Sequence, residues 1–222
     1  REMLATQHSK RCKIVGMGVA YGEHSLCAEL KPRGPCTFYS YGIQQDYTFD
    51  TAMADDWGCK GVALDPSVTH PSKLHRKVTF HNIAARTMDA TEDAQWDLVT
   101  TVPGLKKFLR HDRIDVLKMD CEGCEYALAQ DILLEDPGFL RKVDQLAIEI
   151  HVSRKWLKTE AHAHHLGMLY ALAKDSGLRL VETVFGGCHP DDEAPGCHPV
   201  LQAAGFPCQG GMMCNNLLFA RV

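Results

Sequence analysis

The chain has 222 residues, 45% of them hydrophobic and 23% charged, the size and apolar content of one α/β domain with a sizeable core. Its formal net charge is −4 and its pI is near 6.3, whereas a nucleic-acid-binding domain is expected to have a basic patch or a pI above ~9. No apolar run reaches the ~18 residues of a membrane span, so any signal or anchor is expected outside this sequence.

Residues 1–35 carry Lys10, Arg11 and Lys13 and two glycine-marked turns, and read as a lead-in segment covering one edge of a domain that spans 36–222. Cys12, Cys27 and Cys36 could supply a disulfide or remain partly buried thiols, and spacing does not decide between them. Thr37 to Tyr41 has strand character and runs into Gly42 and a short polar loop. Phe49, Met53 and Trp57 then recur every four residues on one helical face, and Gly58 stops the helix. A second strand, Gly61 to Leu64, ends on Asp65 and Pro66.

A carboxylate at the tip of the second strand of a β-α-β unit is where a ribose hydroxyl pair is usually held, which makes Asp65 a nucleoside-binding candidate. The first loop has one glycine, Gly42, where the dinucleotide fingerprint needs three to let a pyrophosphate approach the backbone. S-adenosylmethionine, a cofactor without a pyrophosphate, fits better. Its cationic end would suit Asp46 or Asp50 at the loop–helix junction, with Tyr41 and Gly42 lining the loop. The plainer reading makes Asp46 a helix N-cap and Asp65 a turn residue before proline.

Lys77 to Ala84 alternates as a third strand, and Asn82 near its end is placed to frame an adenine. Residues 86–96 are acidic and loop-like, with Asp89 either an adenine-amine partner or a solvated carboxylate. Pro103 marks the start of a helix from Val102 to Arg110. Ile114 to Met119 is a nearly continuous apolar run, as expected of a central parallel strand covered on both faces. It ends in Asp120, Cys121, Glu122, Gly123, Cys124 and Glu125, where open sheets bind ligands. The Cys121/Cys124 pair has no second such pair to complete a zinc site, and the flanking acids oppose thiolate chemistry.

A helix follows through Leu128 and Ile132 to Asp136, and Val143 to His151 forms a fifth strand with Glu149 and His151 on one face. His151 is a candidate general base, or simply a hydrogen-bonding strand terminus. Ala161 to Ser176 is an amphipathic helix whose His162, His164 and His165 read as solvated rather than metal-bound. Leu178 to Phe185 and Asn215 to Val222 complete the strands. Between them lies a Gly-, Pro- and Cys-rich loop, 186–214, with Cys188, Cys197, Cys208 and Cys214, expected to be a disulfide-held recognition loop over the substrate side.

The blocks YSYGIQQDYTFD with GCKGVALDPS, and IDVLKMDCEGCEY, resemble the first half and the central block of the FkbM-type methyltransferases and their eukaryotic methyltransferase-like relatives. The resemblance runs from Cys12 to His151 and fades beyond. With the strand–helix alternation it implies a Rossmann-like class I methyltransferase fold, a seven-stranded, mostly parallel sheet with helices on both faces. It implies S-adenosylmethionine-dependent methyl transfer, expected at a hydroxyl of a small molecule or glycan, with Asp120, Glu122 and His151 catalytic and Asp120 also near the cofactor. No metal site is assigned, although a carboxylate-held divalent ion could raise the acceptor's nucleophilicity. The alternatives are a catalytically silent binding domain and a nicotinamide-dependent oxidoreductase, the latter disfavoured by the missing glycines. Ten cysteines in this chain point to a secretory or Golgi setting.

Overall fold

Every side chain of Ile114–Met119 is buried, which only a strand covered on both faces can achieve, and this strand is central to the main sheet. The computed structural model describes residues 12–19, 22–152, 159–187 and 213–222. In chain order it shows a hairpin of β1 (Ile14–Met17) and β2 (His24–Cys27), then β3 (Thr37–Tyr41), α1 (Thr48–Asp55), β4 (Lys60–Leu64), β5 (Lys73–His75) and β6 (Val78–His81). Next come β7 (Ala84–Ala85), α2 (Ala90–Asp93), β8 (Val99–Thr100), α3 (Val102–Phe108) and β9 (Ile114–Met119). The chain closes with α4 (Cys124–Glu135), β10 (Val143–Val152), α5 (Thr159–Asp175), β11 (Arg179–Gly187) and β12 (Met213–Ala220).

The main sheet has the order β11-β12-β10-β9-β3-β4-β6-β5. Strands β11, β10, β9, β3, β4 and β6 run one way, while β12 and β5 run the other. This is a Rossmann-like, mostly parallel α/β sheet whose order reverses between β3 and β9, so a crevice is expected beyond the carboxyl ends of those two strands. The expected seven strands become eight. The extra strand, β5, is three residues long and folds back antiparallel on β6 at the sheet edge. The stretch after Asp65 contains Pro66 and Pro71 and no helical apolar period, so it forms this edge strand instead of a crossover helix.

Helices cover both faces, as expected, but unequally. One face packs Val102 and Leu105 of α3, Tyr126, Leu128 and Ile132 of α4, and Leu169 and Ala173 of α5 against Tyr39, Leu64, Leu117 and Ile148. The other face holds one helix, α1, through Phe49 and Met53, and beside it the β1–β2 hairpin through Met17, Leu26 and Cys27. The β1–β2 hairpin of the lead-in segment therefore lies over a face of the sheet and not along its edge. Gln145 of β10, with no exposed surface, fixes it there: its Oε1 accepts from Cys27 N at 2.7 Å and its Nε2 donates to Cys27 O at 3.4 Å. Disulfides Cys12–Cys27 and Cys36–Cys59 brace the hairpin and the starts of β3 and β4, and Cys121 pairs with Cys124. Cys214 is also disulfide-bonded, while the rest of the expected recognition loop, 188–212, lies outside the described residues.

Gln145→Leu keeps the volume but leaves the buried Cys27 N–H and C=O without partners, so it should cost ~1–3 kcal/mol in urea unfolding. Hydrogen exchange should show the loosening concentrated in residues 12–30; unchanged protection there would mean the hairpin is held by apolar packing alone.

Candidate active site

Beyond the carboxyl ends of β3, β4, β9 and β10 the sequence places a backbone contact, a set of loop braces and a buried ionic cluster. The contact is at Gly42, which has φ +72° and donates its N–H to Leu64 O at 2.9 Å. A Cβ at this position would lie 1.6 Å from Asp120 O, so only glycine allows the loop after β3 to rest on the loop after β9.

The residues expected to hold a nucleoside occupy this region in different ways. Asp65 is 3% exposed and ties loops together: Oδ1 accepts from Ser67 N (2.8 Å) and Ser67 Oγ (2.6 Å), and Oδ2 accepts from Gln44 N (2.8 Å). Of the roughly four acceptor positions of a carboxylate, one stays open, on Oδ2. Asn82 donates to the carbonyls of Asp65, Pro66 and Val68 and so braces the same turn. Asp46 accepts from Thr48 N and Oγ1 and, across to the hairpin, from Gly22 N; these bonds outweigh its burial and hold its carboxyl below the usual range. Asp50 points inward from α1 onto Ser40 Oγ at 3.4 Å, and its Oδ1 has no partner. Burial pushes its carboxyl up to about 7 against the pull of Lys118. The Tyr41 ring belongs to the core beneath α4, so only its backbone reaches the strand end. Asp89 caps α2 through Thr91 N.

The ionic cluster gathers around Asp120, whose side chain is 21% exposed. Lys118 Nζ lies 3.6 Å from Oδ2, His24 Nε2 3.5 Å from Oδ2, and His151 Nε2 3.6 Å from Oδ1. Although burial opposes ionisation, Lys118 first and then the two histidines hold the Asp120 carboxyl well below the usual range. Lys118 is nearly fully buried and donates to Tyr41 O (3.1 Å) and Gly42 O (2.7 Å). Glu125, at the start of α4, accepts from Gly123 N and His151 N and lies 3.2 Å from His151 Nδ1. Burial lowers the His151 pKa, but Glu125, Asp120 and Glu149 together raise it to about 9. Burial and then Asp120 push Glu149 up to about 7. Burial keeps His24 below its ordinary value, so it is neutral. Glu122, with φ 50°, is exposed on the turn and stands apart from this cluster.

Asp120, His151 and Glu149 are thus brought together, while Glu122 is not. Two members went unread in the sequence: His24, in what looked like a lead-in, and Lys118. A lysine inside a largely apolar central strand was the signal for Lys118, since an ammonium is buried only where partners await it. A cavity of about 620 Å³ lined by Lys106, Arg110, His111 and Lys142 opens near the amino ends of β9 and β10, opposite the carboxyl ends where open sheets bind ligands.

The family described as "Methyltransferase domain" matches residues 7–171. A relative, "Probable methyltransferase-like protein 24" of Rattus norvegicus, is 32% identical over 123 residues, covering 53% of this chain and 33% of the relative. Its Homo sapiens counterpart is 32% identical over 124 residues with the same coverage. The chain therefore spans about a third of the length of the curated relatives it matches. Among solved structures, precorrin-6y C5,15-methyltransferase of Geobacter metallireducens is similar at a TM-score of 0.39 and 10% identity, covering 87% of this chain and 84% of that one. A sarcosine dimethylglycine methyltransferase of Galdieria sulphuraria, titled as putative, is similar at a TM-score of 0.39 and 12% identity, covering 84% and 78%.

Asp50 supplies a test of what its carboxylate does. Its folded pKa, about 7, lies above the ordinary value of 3.8, so folding takes up a proton between those values and stability falls as pH rises through them. Asp50→Asn has no charge to bury, so its melting temperature should gain on the wild type from pH 4 to pH 7 and hold that gain above. An equal difference at pH 4 and pH 8 would show that Asp50 is ionised in the fold.

Proposed function

The chain belongs to the methyltransferase-domain family, and from that premise we propose that it transfers a methyl group from S-adenosylmethionine to a hydroxyl oxygen of a small molecule or glycan, in the manner of the FkbM type. The observation that carries this reading is the crevice itself: Gly42 in its left-handed turn, the open acceptor position of Asp65 and the partly exposed Asp120 carboxylate all stand at the carboxyl ends of β3, β4 and β9. When bound, the cofactor supplies an electrophilic methyl on a sulfonium. With the cofactor bound, Asp65 would accept from a ribose hydroxyl through its open acceptor position, and the Gly42 turn would limit what can stand over the loop. The carboxylates of Asp120 and Glu149 favour a cationic group at the mouth.

His151 is held as an imidazolium at neutral pH by Glu125 and Asp120, so its part is to orient Asp120 and not to remove a proton as a neutral base. Asp120 stays ionised beside Lys118 and is the group that faces an incoming hydroxyl. Holding acceptor and methyl in line supplies most of the rate enhancement in a displacement of this kind. The disulfides among the described residues support a secretory or Golgi setting, where such bonds persist.

A second reading has its own observation: three acceptor positions of Asp65 are already used within the protein, and Gly42 rests directly on Asp120. That arrangement also suits a silent domain that binds a partner without catalysis.

Titration calorimetry with S-adenosylmethionine and S-adenosylhomocysteine separates the readings. Binding should be seen, and Asp65→Ala should weaken it roughly 10- to 150-fold, the loss of a charge-assisted hydrogen bond of ~1.5–3 kcal/mol. Binding of a nicotinamide nucleotide with none of either sulfur nucleoside would sink the proposal, and binding without methyl transfer to any hydroxyl acceptor would favour the silent domain.

A further inference from the structure

The geometry points to a divalent transition-metal site at the mouth of the crevice, with His24, Asp120 and Glu149 as its three protein ligands and an open position facing the acceptor. Donor atoms of these three side chains lie within 4.8 Å of one another. His24 Nε2 and Asp120 Oδ2 are 3.5 Å apart, long for a hydrogen bond. It is close to the ~3.4 Å that separates two donors bound at ~2.1 Å around a tetrahedral ion.

Four further observations lead to the same place. His24 is 3% exposed and comes from the hairpin, so the ligand set spans both layers and closes only when the hairpin docks on the sheet. His151 Nδ1 lies 3.2 Å from the buried Glu125, and its Nε2 is turned toward Asp120 Oδ1, the outer-shell arrangement that orients a ligating carboxylate. Asn216 stands directly opposite Glu149 across the β10–β12 ladder, hence on the same face, and its buried Oδ1 has no hydrogen-bond partner. Asp120, with 21% of its side chain exposed, leaves a side of the cluster open to solvent.

One imidazole and two carboxylates suit Mn²⁺ or Zn²⁺ better than Mg²⁺, which prefers oxygen and water. Lys118 Nζ is fixed by the carbonyls of Tyr41 and Gly42 and lies 3.6 Å from Asp120 Oδ2, the oxygen that also faces His24, so its charge neutralises part of the carboxylate excess from there. The ligand for the open position is a hydroxyl oxygen, whose proton a bound dication makes easier to lose. This role rests on the methyl-transfer reading; the binding of the ion does not.

The protein with its disulfides intact is dialysed against chelator and titrated with MnCl2, ZnCl2 and MgCl2 without nucleoside. One equivalent of Mn²⁺ or Zn²⁺ should bind, with Mg²⁺ weaker. His24→Gln and Glu149→Gln should each weaken binding at least ~10-fold, and Glu125→Gln ~10- to 100-fold through His151. No ion uptake by the wild type, or uptake unchanged in both ligand variants, overturns the site. Should those variants fail to fold, X-ray absorption on the wild-type zinc form decides: a nitrogen and oxygen shell supports the assignment, and a sulfur ligand overturns it. S-adenosylhomocysteine binding is measured on the same preparations. Ion uptake without nucleoside binding supports the site and counts against methyl transfer, and nucleoside binding without ion uptake overturns the site alone.

Discussion

The Lys118 ammonium is the group on which the carboxyl end of this sheet depends. It is one of the few cations in the described protein with almost no exposed surface, and it makes three contacts: Tyr41 O, Gly42 O and Asp120. The two carbonyls belong to the turn that leaves β3, and the carboxylate belongs to the turn that leaves β9. One charge therefore sets the height of both loops at the point where the sheet order reverses. Removing it would take from Asp120 the stronger of its two cationic neighbours and leave only His151, and losing one partner of a buried pair typically costs ~3–5 kcal/mol.

Around that charge the protonation states are divided by environment. Asp120 stays ionised because Lys118 and two histidines face it, whereas Asp50 and Glu149, also carboxylates, are pushed up to about 7 chiefly by burial. His24 and His151 diverge in the same way: His24 meets burial first and stays neutral, while Glu125 and Asp120 overcome burial at His151. A small region thus offers a fixed anion, a fixed cation and a neutral imidazole side by side. That separation of roles on like side chains is characteristic of sites built for chemistry, though networks that serve stability alone also show it.

Much of the fold was legible because central parallel strands write themselves as apolar runs. Thr37–Tyr41 and Ile114–Met119 were readable to the residue, since each ends on a glycine or aspartate that cannot continue the run. The hairpin was not legible: Ile14–Met17 and His24–Cys27 are four residues each, and their stability comes from Gln145 and the distant β10, a contact 118 residues away in sequence. Strand β5 was hidden for a similar reason, three residues being too few to show a period. In the site, Asp120 and His151 could be picked out from strand ends, and the local capping and turn readings of Asp46 and Asp65 from their neighbours, but the reach of Asp46 to Gly22, of Asp65 to Gln44 and of Asn82 to the turn after Asp65 could not. Which atoms a carboxylate meets depends on loops folding back from elsewhere, and sequence spacing carries no record of that.

The Cys36–Cys59 disulfide joins the entry points of two neighbouring parallel strands and so encloses β3, the polar turn and α1 in a covalent ring. A protease that cuts in the turn at 43–47 would open the ring without separating the chain, and the two ends would stay side by side in the sheet. The segment that carries Gly42 and the partner of Asp65 is therefore a part of the molecule that can be nicked and still remain within a single covalent body under oxidising conditions. Under reducing conditions the same nick would leave the piece before the cut held only by its hydrogen bonds and its packing.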